Sequence, residues 1–252
     1  MKFASPLKEG ILLKRHKPFL AEIAVKKDDQ KIIFCPNQGI LHGCDVLGSR
    51  VWFSESSISN SRYPLTWELV EVNGGHLVCV NATVAPALVL EGMQNQVIPE
   101  LMHLTFVREN MTVDKRGTTV NIALSSCPDR QELTPDCYVV VKAVTMGDEI
   151  HRGFYPDMPL GSDTEQLRNL TVLLGSGIRI ILFYCIQHTG INCVFPADHI
   201  DKEYGLVLRD AIRAGLEVIA YKTHMTISEI KLIGRAVVNV PERSVSKKPS
   251  CR

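Results

Sequence analysis

Metal-dependent hydrolysis of a phosphodiester needs two or three carboxylates to hold Mg²⁺ and a lysine to orient the attacking water. On a β-hairpin these groups come as an Asp on one strand and an acid-x-Lys on the next. The chain carries Val120-Asn121-Ile122 and then Val139-Val140-Val141-Lys142, which read as two such strands. The lysine is in place at the end of an apolar strand. Asn121 and Val140 stand where acids would be, and a neutral amide binds a hard cation weakly, a valine not at all. The pattern is that of a nuclease scaffold without its metal site. Lys142 then reads either as a vestige or as a lysine with a new polar partner.

A second spacing, Cys185-x2-His188-x4-Cys193-x5-His199, has the residue types of a zinc site. Cys185 falls within a buried apolar run, so packing sets its direction, and a core thiol beside two loop histidines is the reading we take. No metal is expected, and no cofactor; Mg²⁺ enters only if the chain is a nuclease after all. The sequence has no GxGxxG, P-loop, GxSxG or HExxH motif.

The elements that must position these residues fall into two sets. Short apolar or alternating runs at 11–13, 19–25, 32–35, 51–54, 67–72 and 77–80 predict strands, separated by turn residues such as Pro36-Asn37-Gln38-Gly39. Asn73-Gly74-Gly75 between the last two predicts a hairpin. Five or six short strands in this span predict a small closed barrel of the OB-like kind. Beyond residue 83 the pattern turns mixed: a helix at 88–93, strands at 104–113, 118–124 and 137–145, then Ser162-Asp163-Thr164-Glu165 as a capping box. That box opens a helix with Leu167, Leu170, Leu173 and Leu174 on one face, ended at Gly175 or Gly177. A buried strand at 178–186, a helix capped by Asp201 and closed by Gly215, and a strand at 216–221 complete an α/β layer.

The 252 residues are 45% hydrophobic and 22% charged, enough to bury a core. No apolar run approaches the roughly 18–20 residues of a spanning helix, and charges interrupt the N-terminal stretch where a signal peptide would be apolar. Eight cysteines without a CxxC pair, several in apolar runs, fit free thiols in a reducing cytoplasm. Net charge is +1, too balanced to announce nucleic acid. Its distribution is uneven: residues 1–31 hold eight Lys or Arg against four Asp or Glu, and the last twelve residues add four against one. Basic ends can contact phosphate, or can simply be a solvated face.

Across roughly residues 3–240 the sequence resembles the bacterial sugar fermentation stimulation protein A family, as a diverged member or paralogue. The resemblance rests on Phe19-Leu20-Ala21, Cys35-Pro36-Asn37 with Gly39, Gly43-Cys44, Val51-Trp52, Tyr63-Pro64 with Thr66-Trp67-Glu68-Leu69, Cys79-Val80-Asn81, Pro156-Asp157, His199-Ile200-Asp201 and Ala220-Tyr221-Lys222. It implies an N-terminal OB-like domain, a C-terminal domain similar to PD-(D/E)XK nucleases, DNA binding, and a regulatory role in sugar metabolism. Where the family is acidic this chain has Asn110, Asn121 and Val140; a further family histidine is Gln166, and only Lys142 and Asp157 remain. Implied DNA-contacting positions are Arg15, Lys17, Asn37 and Arg62, thinned by Pro18 and by Pro86-Ala87.

The resulting expectation is an OB-like β-barrel over 1–82, a PD-(D/E)XK-like mixed α/β domain over 83–240 with a degraded active site, and a flexible basic tail over 241–252. Trp52 and Trp67 are expected in the barrel core rather than as base-stacking platforms. The function expected is weak, nonspecific DNA binding without cleavage. Two alternatives stay open. One is a nuclease whose ligands have moved to Asp114, Asp157 or Asp163; the other is a protein-interaction module without nucleic acid.

Overall fold

The structure, a computed structural model, describes residues 1–16, 19–26, 28–56, 62–127 and 135–242. Six strands form the first sheet: β1 (Lys8–His16), β2 (Leu20–Lys26), β3 (Asp29–Phe34), β4 (Arg50–Glu55), β5 (Leu65–Val72) and β6 (His76–Cys79). Their order is β3-β2-β1-β4-β5-β6, and β3 returns to pair with β5 at Phe34 and Thr66, which closes a five-stranded barrel with β6 alongside. Alternation fills it: Ala21 and Ile23 of β2, Ile33 of β3 and Phe53 of β4 are fully buried inside. Trp67 lies at the centre and donates its indole N–H to the Leu69 carbonyl at 3.0 Å. The expected hairpin joins β5 to β6, with Gly74 and Gly75 at φ 80° and 78°, a region that glycine enters without steric cost.

The rest of the chain adds α1 (Ala85–Gln94), β7 (Phe106–Thr112), β8 (Thr119–Ser125), β9 (Cys137–Val144), β10 (Met146–Gly147), β11 (Arg152–Tyr155), α2 (Gly161–Leu174), β12 (Arg179–Ile186), β13 (Cys193–Pro196), α3 (Lys202–Arg213), β14 (Glu217–Met225) and β15 (Ile230–Val238). The sheet order is β10-β11-β13-β15-β14-β12-β9-β8-β7, with β12 parallel to both β9 and β14. A strand with parallel neighbours on both sides and layers on both faces must be apolar throughout, and residues 180–186 are all buried. Helices α2 and α3 cover one face. On the other, α1 and the barrel residues Trp52, Leu69 and Cys79 share a single core with Ile122, Val139, Ile181 and Phe183. The two halves are therefore welded by apolar burial as well as by β6, whose Cys79 amide donates to Gln187 and whose Leu77 carbonyl accepts from Thr189.

Several details depart from the sequence reading. The capping box at 162–165 does not form: α2 starts at Gly161 behind Leu160, with no side-chain cap. Asp201 does cap α3, accepting from the Tyr204 amide at 2.9 Å. Strands β10, β11, β13 and β15 were not anticipated; the first three are four residues or shorter, and Lys231, Gly234 and Arg235 interrupt the pattern of β15. Pro241 and Glu242, placed in the flexible tail, are tied to Arg209 and Arg213; the remainder of that tail lies outside the described residues.

Candidate functional site

The hairpin β8–β9 exists as expected, with Ile122 opposite Val139. Where the ladder ends, the Asn121 side-chain oxygen accepts the Val141 amide at 2.8 Å. The amide thus completes a strand hydrogen bond. Val140 is 1% exposed and packs in the core beneath α2. Lys142 reaches back to α2, and its Nζ lies 2.9 Å from Asp163 Oδ1, both side chains 14% exposed. The other oxygen of Asp163 accepts the Tyr155 hydroxyl. Tyr155 packs on Tyr184 and Tyr204, with ring centroids 5.6 Å away in each case. Burial, and then the charge of Asp163, hold the Tyr155 hydroxyl well above the ordinary tyrosine range, so it remains a donor. Asp163 is therefore spent on a cation and a hydroxyl.

Around this pair opens a cavity of about 670 Å³, walled by Asn110, Arg116, Asn121, Lys142, Gln166 and Asn169 among others. Its polar groups bond one another: Gln166 donates to the Thr119 carbonyl at 2.7 Å and Arg116 to Asn169 at 2.9 Å. Asp114 closes the loop after β7 by accepting from the Arg116 and Thr118 amides and the Thr118 hydroxyl. Those bonds, the Thr118 amide foremost, hold its carboxyl below the usual range.

Asn121 and Lys142 also wall a second cavity of about 330 Å³, shared with Asn37, Gly39 and Asp157. Here the barrel loop 36–41 meets the second domain. Asp157 accepts the Leu41 amide at 3.0 Å and abuts Gly39, where an added Cβ would overlap the carboxylate. Asn37 donates to the Val80 carbonyl at 3.1 Å and accepts the Gly39 amide at 2.8 Å. Arg15 donates to the carbonyls of Ile40 at 2.6 Å and Gly39 at 2.7 Å, and its side chain is 3% exposed. These three residues fasten the loop. Arg15 is thus a correction to the expected set of phosphate contacts, because a guanidinium buried among carbonyls presents no face to a backbone. Lys17 lies outside the described residues.

The zinc-like spacing does not converge. Cys185 is buried, Cys193 is engaged in a disulfide rather than free, and His199 lies edge-on to Phe154 at 5.5 Å. His188 is turned instead towards His76 and into a cavity also lined by His151. Burial, then His76 and His151, pushes its pKa down to about 4. Among the described residues no three His, Cys, Asp or Glu side chains are placed to hold a metal ion.

Residues 13–80 match the model described as SfsA N-terminal OB domain, and residues 83–229 match that of the sugar fermentation stimulation protein RE domain. This chain belongs to the SfsA family. Similar relatives include the sugar fermentation stimulation protein homologs of Aliivibrio salmonicida, 36% identical over 92% of this chain and 97% of the relative, and of Pseudomonas savastanoi pv. phaseolicola, 38% identical over 95% and 99%. The structure of Pyrococcus furiosus SfsA in complex with Ca²⁺ has the same fold, with a TM-score of 0.83 at 19% identity over 95% of this chain and 98% of that one.

A divalent cation fits this SfsA site poorly. Beside Lys142 stand an amide engaged with backbone, a buried valine and one carboxylate already paired on both oxygens. The sequence reading missed one further group. Phe34 follows the inward Ile33 and so faces out of the barrel; its ring stacks on Tyr63 at 5.6 Å and 12°, and meets Phe19 at 6.2 Å. Arg62, expected as a DNA contact, lies over the Tyr63 ring at 5.4 Å. The alternation at Ile33-Phe34 was a local signal, but nothing local brings Phe19 and Tyr63 beside it.

Proposed function

We propose that this SfsA chain binds DNA and does not cleave it, holding nucleic acid weakly and without strong sequence preference. The observation that carries the reading is the Lys142–Asp163 pair: the lysine that would orient water in a nuclease is neutralised by the carboxylate nearest to it. The displaced-ligand alternative loses support in the same way. Asp114 is engaged by its own loop and Asp163 by Lys142 and Tyr155, while Asp157 turns one oxygen to the Leu41 amide. The Ca²⁺ belongs to the Pyrococcus furiosus complex; among the described residues of this chain no three His, Cys, Asp or Glu side chains are placed to hold a metal ion.

The OB barrel, with an aromatic row of exposed Phe19 and half-buried Phe34 and Tyr63 and with exposed Arg62, supports the DNA half of the proposal. Net charge of +1 argues for affinity in the micromolar range or poorer. A binder that does not cut suits regulation rather than degradation, and the relatives are named sugar fermentation stimulation protein homologs, so sugar metabolism is the process we assign to it. Mobility-shift titration across a salt series tests binding, and incubation of the same DNA with Mg²⁺ or Mn²⁺ tests cleavage. Salt-sensitive retention of intact DNA is expected.

A further inference from the structure

On an OB barrel the oligonucleotide-binding face is formed by β2 and β3 with the loops β1–β2 and β4–β5. The aromatic row occupies that face. Phe19 ends the β1–β2 loop, Phe34 ends β3, and Tyr63 and Arg62 belong to the β4–β5 loop. Phe19 is 39% exposed, a large apolar ring that the fold leaves open to solvent, and Arg62 is exposed as well. The offset stack of Phe34 on Tyr63 continues towards Phe19 on one side and a guanidinium on the other.

We propose that Phe19, Phe34, Tyr63 and Arg62 form a stacking platform for the unpaired bases of single-stranded nucleic acid. The proposal rests on the DNA-binding reading above and specifies its ligand. Bases in a duplex keep their faces covered by their neighbours, whereas an unpaired base offers a π-face to aromatic rings and to arginine. Phe34 is two residues from Pro36, which with Asn37 lines the second cavity, so the platform and that cavity share the segment after β3. A modest positive charge is sufficient for such a mode, because stacking supplies a share of the affinity that phosphate contacts would otherwise provide.

Fluorescence anisotropy with the full chain at low salt tests this, using labelled thymidine and uridine oligomers of roughly twenty nucleotides and a duplex of like length. The thymidine oligomer is expected to bind at least about fivefold more tightly than the duplex. Tyr63→Leu and Phe19→Leu keep apolar volume but remove the π-face, and each is expected to weaken single-strand binding about tenfold; Tyr63→Trp retains it. Circular dichroism of each variant checks the fold. The uridine arm reads whether the 2′-hydroxyl is tolerated, and tighter binding of uridine than thymidine would reassign the platform to RNA. Equal binding of strand and duplex with both leucine variants unchanged would overturn the platform while leaving DNA binding intact. Absence of retention on any of the three would overturn both.

Discussion

Lys142 Nζ and Asp163 Oδ1 lie 2.9 Å apart across the gap between β9 and α2, and each side chain is 14% exposed. In a site so screened from water, an ion pair contributes little relative to an apolar pair, but a half-broken one is costly. Asp163→Ala should leave the ammonium and the Tyr155 hydroxyl without an acceptor and lower stability by about 2–4 kcal/mol. Adding Lys142→Met should recover a large part of that loss. Urea denaturation of the two variants measures it, and a cost for Asp163→Ala below about 0.5 kcal/mol would mean that the pair is not formed in solution.

Restoring carboxylates addresses the site from the other direction. Val140→Glu places a carboxylate in the core beneath α2 and should cost about 3 kcal/mol or more. With Asn121→Asp beside it, Mn²⁺ should return part of that stability, since a ligand bound only by the folded state stabilises it. Thermal shift with and without Mn²⁺ reads the effect; no difference in the double variant would show that the hairpin cannot assemble a cation site.

Acid should act through His188. Its pKa of about 4 lies below the ordinary value of 6.5 because burial and two neighbouring histidines disfavour the charged form. The unfolded chain therefore binds the extra proton first. The stability that the neutral imidazole brings is complete above pH 6.5 and is lost as pH falls towards 4, by about 2 kcal/mol between pH 7 and pH 5. Unfolding free energies from urea denaturation at those two pH values should differ by that amount, and by clearly less in His188→Gln.

The loop 36–41 should prove structural. Arg15→Ala removes two short bonds to the carbonyls of Gly39 and Ile40 and should destabilise by about 2 kcal/mol while leaving the salt dependence of DNA retention unchanged. Gly39→Ala should be at least as costly, because the methyl group meets the Asp157 carboxylate. A reduced salt slope in Arg15→Ala with unaltered stability would return Arg15 to the DNA interface.

These residues also mark how far the sequence alone could be read. Trp67 in the core, the Asn73-Gly74-Gly75 hairpin and the Asp201 cap follow from local pattern and turn chemistry, and the structure bears them out. The capping box at 162–165 fails because α2 starts earlier, at Gly161 behind Leu160, which puts Ser162 inside the first turn instead of at its N-cap. Lysine, arginine and asparagine look alike in a sequence whether they face phosphate or backbone. Only the fold distinguishes Arg15, closed among carbonyls, from Arg62, exposed over a ring. Asn110, Asn121, Lys142 and Gln166 do line one cavity, whereas Val140 does not.

The central claim is that the chain holds DNA without cutting it, and one incubation read on two gels tests both halves. End-labelled single- and double-stranded DNA is incubated with the protein and Mn²⁺, and each sample is run native and denaturing. The account predicts a retained species that dissolves as salt is raised, with full-length DNA recovered from it. Divalent-dependent fragments from the unmodified protein, surviving Lys142→Ala, would contradict it.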